Sequence, residues 1–188
     1  MRRAELEHVL RAAATVAEDE EIVVVGSQAI LGQFPDAPDS LLVSREADIY
    51  PRNHPERTDE IDGSLGDGSY FDSTYGYYAH AVGPETATVP TGWEQRLVAV
   101  RNANTGGATG WCLEVHDLVL SKCVAGRERD WEFVEETLLH GLADPEELRR
   151  RAADLPISPA GVETVNDMLD GILARVRAKG VYPSPAER

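Results

Sequence analysis

IVVVGSQAILGQFPDAPDSLLVSREADIYP, residues 22–51 of the chain, contains the pattern that decides how the rest is read. Four β-branched residues in a row, Ile22, Val23, Val24 and Val25, predict a strand covered on both faces. Gly26 and Ser27 end it, and Gln28, Ala29, Ile30 and Leu31 open a short helix. Such a turn presents backbone N–H groups and a hydroxyl at a helix N-terminus, where the helix dipole favours an anion. Residues 41–50 read as a second strand, and side chains two apart on a strand share a face. Ser44, Glu46, Asp48 and Tyr50 therefore fall on one face, and Val43, Arg45, Ala47 and Ile49 on the other. Pro51 ends the pairing.

Glu46 and Asp48 lie roughly 6–7 Å apart at Cα, given a rise of about 3.3 Å per residue. Hard carboxylate oxygens at that spacing can grip one divalent cation, or two adjacent ones. A metal pair can in turn bind triphosphate oxygens and align an in-line attack. Each half of the pattern also has a plain reading. Acid-x-acid is common on exposed edge strands, and a Gly-Ser turn is an ordinary serine-capped helix start. The Walker pattern GxxxxGK[ST] and the Rossmann glycine pattern are both absent.

Outward from this stretch, length and composition bound the classes. A chain of 188 residues, 42% hydrophobic and 27% charged, suits one globular domain, or one with a small helical extension. The net charge of −15 argues against general charge-driven nucleic-acid binding, and leaves Arg149, Arg150 and Arg151 with Arg175, Arg177 and Lys179 as the candidate basic patch. No run approaches the length of a membrane span, and MRRAELEHVLRAAA lacks the apolar centre of a secretory signal, so a cytoplasmic protein is expected. Cys112 and Cys123 form no CxxC motif, and free buried thiols are expected. His8, His54, His80, His116 and His140 are scattered without an HxxxH pair, so no zinc site is expected.

In chain order, residues 3–18 carry Leu6, Val9, Leu10, Ala13, Val16 and Ala17 at helical spacing. Residues 52–83 read as a long polar segment with a short helix from Asp59 and a strand over 75–82. Strands are expected over 86–90, 95–100 and 111–115, then helices over 116–125, 131–140, 145–155 and 159–179. Trp131, Val134 and Leu138 are expected to face inward. Tyr70, Phe71, Tyr75, Tyr77 and Tyr78 suggest core packing, or a platform on which a base could stack. The sum is an α+β fold, a mixed sheet flanked by helices. Residues 1–115 form the core, and residues 116–188 are a helical region packed on it.

Taken together, VVVGSQA and Ser44-Arg45-Glu46-Ala47-Asp48-Ile49 resemble the nucleotidyltransferase superfamily pattern of Gly-Ser, spacer, then acid-x-acid on the next strand. Downstream, Leu118-Val119-Leu120-Ser121-Lys122 and Ala125-Gly126-Arg127-Glu128-Arg129-Asp130 resemble the later motifs of bacterial AbiEii-type nucleotidyltransferase-like proteins. Residues 89–97, VPTGWEQRL, are similar to a small, poorly characterised branch near that group. The resemblance implies that Gly26, Ser27 and Ser44 bind nucleotide, and that Glu46 and Asp48 hold Mg²⁺ or Mn²⁺. It implies that Lys122 neutralises phosphate charge with Arg127 close by, and that Asp130 orients or activates the acceptor. The implied activity is transfer of a nucleoside monophosphate from an NTP to an acceptor hydroxyl on tRNA or protein. It also points to the toxin half of a toxin–antitoxin or phage-defence pair, with an antitoxin as protein partner and no membrane. Three departures stand out: glutamate in the first acid position, Gln28 after the Gly-Ser pair, and no third acid within residues 96–101, so that Glu94, Glu114 or Asp117 substitutes or only one metal binds firmly. They leave open a catalytically degenerate module that binds nucleotide or protein. A small-molecule acceptor, in a pocket shaped by residues 52–83, is the other alternative.

Overall fold

A computed structural model describes residues 1–179; the end of the expected helical region, residues 180–188, lies outside the described residues. The chain divides into two compact units: Met1–Ala87 with Glu94–Glu114, and Thr88–Trp93 with Val115–Arg188.

The first unit contains α1 (Arg3–Ala17), β1 (Glu21–Val25), α2 (Ile30–Gln33), β2 (Glu46–Pro51), α3 (Thr58–Leu65), α4 (Tyr70–Tyr75), β3 (Tyr78–Ala81), β4 (Val98–Val100) and β5 (Thr109–Cys112). The strands form one mixed sheet in the order β3-β2-β1-β5-β4. β1 runs antiparallel to β2 and parallel to β5. β2 is parallel to β3, and β4 is antiparallel to β5. β1 is thus the central strand, and all four of its β-branched residues are buried, as its unbroken apolar run predicts. The fold is α+β.

α1 turns its stripe of Leu6, Val9, Leu10, Ala13 and Ala17 inward, where it packs on the sheet. Close approach of helix and sheet demands glycine on either partner. A Cβ at Gly110 of β5 would sit 2.4 Å from Leu10 Cδ1, and a Cβ at Gly32 of α2 would sit 2.4 Å from Cys112 Cβ. Cys112 and Cys123 are both buried free thiols. Burial pushes each thiol up to about 12, so neither is a thiolate nucleophile.

Two buried carboxylates tie loops to this frame. Glu7 accepts from Arg3 Nε, Asn102 Nδ2 and Asn104 Nδ2 at 2.8 Å each. Asp19, 4% exposed, accepts from the Glu21, Asn53 and His54 backbone N–H groups and from Asn53 Nδ2.

The sequence misplaces several elements. β2 starts at Glu46, not at 41, because the preceding carbonyls are already taken. The Met1 ammonium donates to Leu42 O and Ser44 O at 2.7 and 2.6 Å, and Ser44 Oγ accepts from the Glu46 N–H at 3.1 Å. Within residues 52–83 the expected short helix and strand form as α3 and β3, but a second helix, α4, stands between them where none was expected. α4 carries legible signals that the reading passed over: Ser69 caps it by accepting from the Asp72 N–H, and Gly76 stops it at φ 78°. The expected strand over 86–90 does not form. Part of that segment belongs to the second unit, where the Thr91 N–H and hydroxyl both donate to Asp154 O.

The second unit is helical: α5 (Val115–Ala125), α6 (Glu128–Leu139), α7 (Pro145–Ala152) and α8 (Pro159–Ala178). α5 touches the other three helices. Ion pairs join each neighbour: Asp117 with Arg151 at 3.0 Å between α5 and α7, and Glu135 with Arg175 and Lys179 between α6 and α8. Trp131 is 39% exposed, against the expectation that it faces inward; Phe133, Val134, Thr137 and Leu138 take that side of α6. None of the described helices is long and apolar enough to cross a membrane.

Burial acts to raise the Asp19 pKa, but the four donated hydrogen bonds outweigh it and hold the carboxyl below the ordinary aspartate value. A depressed pKa gives stability that is present above the unfolded value and lost as pH falls through the folded one. Asp19→Ala is therefore expected to lower unfolding stability by about 1–3 kcal/mol at neutral pH. The gap from wild type should close on acidification, read from denaturant midpoints across pH.

Candidate functional site

The first unit brings Gly26, Ser27, Ser44, Glu46 and Asp48 together around the upper ends of β1 and β2. The register places Val25 opposite Asp48, so the turn that follows β1 meets the second acid directly. Gly26 has φ 65° and ψ −175°, a conformation open essentially to glycine alone. A Cβ on Gly26 would lie 1.9 Å from Asp48 Oδ2 and 2.8 Å from its Cγ. The missing side chain is the space in which the Asp48 carboxylate sits.

Ser27 begins a single 3-10 turn, Ser27–Ala29, followed by the four-residue α2. The expected support from a helix dipole therefore shrinks to that of one short helix. The turn's own N–H groups and the half-buried Ser27 hydroxyl are what it can offer an anion. Gln28, next in line, is 1% exposed, and neither polar atom of its side chain has a hydrogen-bond partner. Ser44 lies half-buried at the entry to β2, its hydroxyl against the Glu46 backbone N–H.

Two residues that the sequence offered only as one of an aromatic group and one of five scattered histidines adjoin the acids. β3 pairs with β2 so that Tyr78 faces Glu46 and His80 faces Asp48. The Tyr78 hydroxyl donates to Glu46 Oε2 at 3.0 Å, and His80 Nδ1 lies 2.8 Å from Asp48 Oδ1. Burial and this bond to Glu46 push the Tyr78 phenol up to about 12, so it remains a donor at neutral pH. The alternation Tyr78-Ala79-His80 mirrors Glu46-Ala47-Asp48 in the sequence; the strand register that matches them was not legible there. Arg45 holds β3 in place. Its guanidinium pairs with Asp72, donates to Gly76 O at 2.8 Å and lies 5.8 Å from the Tyr78 ring centre.

The other aromatic residues divide. Phe71, Tyr75 and Tyr77 cluster with His8 of α1, at centroid separations from 4.6 to 6.0 Å, and His8 Nδ1 meets the Tyr77 hydroxyl at 2.9 Å. Their role is packing α4 onto α1. Tyr70 is 87% exposed and stacks on none of them.

The second unit brings Lys122, Arg127 and Asp130 together. Gly126, at φ 66°, turns the chain out of α5, and Arg127 caps α6. Asp130 stands at the third helical position and accepts from the Arg127 N–H through Oδ2 at 3.3 Å. Its Oδ1 pairs with Lys122 Nζ at 3.0 Å, the carboxylate 1% and the lysine side chain 17% exposed. Lys122 Nζ also lies 5.8 Å from the Phe133 ring centre.

Among the described residues, no group of three or more His, Cys, Asp or Glu side chains is arranged to hold a metal. Glu46 and Asp48 remain as an acid pair. That donor set still suits Mg²⁺, which is commonly held by one or two carboxylates together with substrate phosphates and waters.

A Gly-Ser turn after the central strand, seated against an acid-x-acid strand beside it in a mixed sheet flanked by helices, defines a nucleotidyltransferase-type core. The family described as "Nucleotidyltransferase of unknown function (DUF6036)" matches residues 4–168, and the chain belongs to it. No curated protein and no solved structure matches the chain.

Gly26→Ala is expected to cost about 1–3 kcal/mol, because alanine must both adopt the glycine-only conformation and displace the Asp48 carboxylate. A thermal or denaturant melt measures this.

Proposed function

We propose that the protein is a metal-dependent nucleotidyltransferase that moves a nucleoside monophosphate from an NTP to an acceptor hydroxyl. The observation that carries this reading is the contact between Gly26 and Asp48, which brings a phosphate-type turn and an acid-x-acid strand to one point. Membership of a nucleotidyltransferase family supports it independently.

In this reading Glu46 and Asp48 hold Mg²⁺ or Mn²⁺. When bound, the ion supplies charge neutralisation at the triphosphate and lowers the barrier to attack on its α-phosphorus. Gly26 and Ser27 seat the phosphates with N–H and hydroxyl donors, and Ser44 fixes the start of the acid-bearing strand. The acceptor oxygen forms the new bond to phosphorus, the bridging bond to the β-phosphate breaks, and pyrophosphate leaves with that electron pair. The hydroxyl proton must be taken up as the bond forms. From the second unit the proposal takes Lys122 as a phosphate contact, Arg127 as a second cation and Asp130 as the acceptor-orienting carboxylate.

For the acceptor we propose the hydroxyl of tRNA or of a protein, and for the setting an AbiEii-like toxin with a cognate antitoxin, in the cytoplasm of a bacterium. The resemblance of residues 118–130 to those proteins supports this. A small-molecule acceptor, in a pocket shaped by residues 52–83, stands as the alternative to tRNA or protein. A second reading, a degenerate module that binds nucleotide without transferring it, is favoured by one observation: no third acid joins Glu46 and Asp48 among the described residues.

The test incubates the protein with each labelled NTP, Mg²⁺ and total tRNA or protein extract. Transfer is expected for the wild type, with a loss of roughly 100-fold or more in Asp48→Ala and on chelation of the metal. Bound NTP with no transfer to any acceptor would select the degenerate module.

A further inference from the structure

β3 is an edge strand, yet it places one hydrogen-bonding side chain against each acid of β2. Tyr78 is the cross-strand partner of Glu46, and His80 of Asp48. The two contacts are 3.0 and 2.8 Å, each to a single carboxylate oxygen: Oε2 of Glu46 and Oδ1 of Asp48. The intervening Ala79 is fully buried on the opposite face, so the strand cannot slip by one residue without burying both polar groups. Further contacts pin the register. The Tyr78 N–H donates to Arg45 O at 3.1 Å, the Val82 N–H donates to Ile49 O at 3.0 Å, and the Arg45 guanidinium holds the preceding turn at Gly76.

A surface pair of solvated acids needs no such arrangement. Flexible carboxylates on neighbouring positions of one face repel one another and sample several rotamers; a fixed donor on one oxygen of each restricts both. His80 Nδ1 is committed to Asp48, so His80 acts on the acid through a hydrogen bond, and that nitrogen is not a donor to a cation.

We propose that Tyr78 and His80 are positioning residues that orient Glu46 and Asp48 for a divalent cation. This inference rests on the reading of Glu46 and Asp48 as cation ligands. It adds that the site offers two carboxylate ligands, each oriented by a hydrogen-bonded neighbour on β3, and takes up one tightly held ion in place of two.

The experiment measures Mn²⁺ binding by electron paramagnetic resonance, with and without a non-hydrolysable ATP analogue. It compares the wild type with His80→Ala, His80→Asn, Tyr78→Phe and Asp48→Asn, and records a thermal melt for each. His80→Ala is expected to weaken Mn²⁺ binding by about 10–100-fold, as loss of a ligand-orienting partner typically does. Its melting temperature should be nearly unchanged, because His80 lies exposed on an edge strand. His80→Asn, which keeps a donor, should recover much of the loss, and Tyr78→Phe should weaken binding with the ring retained. The wild type should bind one Mn²⁺ tightly in the presence of the analogue. Metal affinity within twofold of wild type in both His80→Ala and Tyr78→Phe, while Asp48→Asn abolishes binding, would overturn the positioning role and leave the metal reading standing. Unchanged binding in Asp48→Asn would overturn the metal reading itself. Two tightly bound ions in the wild type would overturn the two-acid stoichiometry.

Discussion

The first unit depends on one close approach: a glycine with no side chain where the β1–α2 turn passes the Asp48 carboxylate. With a Cβ built at Gly26 only 1.9 Å from Asp48 Oδ2, the turn and the acid cannot both keep their places if residue 26 is anything larger. That single constraint couples the end of the central strand to the functional face of its neighbour. The antiparallel register of β1 and β2 sets Val25 opposite Asp48. Glu46 follows two residues away on the same face, and β3 is then held so that its polar side chains meet both acids.

Much of this was legible in residues 22–51, for physical reasons that can be stated. IVVV predicts a central strand because no alternation relieves its burial, and Glu-Ala-Asp predicts a split strand because small and charged residues alternate with the pleat. The helices of the second unit followed from apolar spacing, and α8 ends within one residue of its expected limit. What was not legible came from long-range partners. The start of β2 depends on the Met1 ammonium bonding Leu42 and Ser44, which no local pattern announces. The failure of a strand at 86–90 depends on Thr91 meeting Asp154, more than sixty residues on. Trp131 was placed inward with Val134 and Leu138, whereas the phase of α6 turns Asp130 in to Lys122.

Of the site, the acid pair and the Gly-Ser turn could be read from spacing, and the structure brings them together. Lys122, Arg127 and Asp130 came from resemblance, and within their own unit they do meet around the α5–α6 turn. Tyr78 and His80 were hidden because their meaning lies in a parallel register between strands some thirty residues apart. Burial of a carboxylate is tolerated at Asp130 by two donors and at Asp19 by four, which accords with the rule that buried charge is paired. The Gln28 amide, a neutral polar group, is buried beside the turn without a hydrogen-bond partner.

The most direct measurement is anomalous scattering from crystals soaked with Mn²⁺ and a non-hydrolysable NTP. The account predicts one strong Mn²⁺ peak coordinated by Glu46 and Asp48, with the triphosphate seated on Gly26 and Ser27. A peak at any other place in the chain, or nucleotide density with no ion at Glu46 and Asp48, would contradict it.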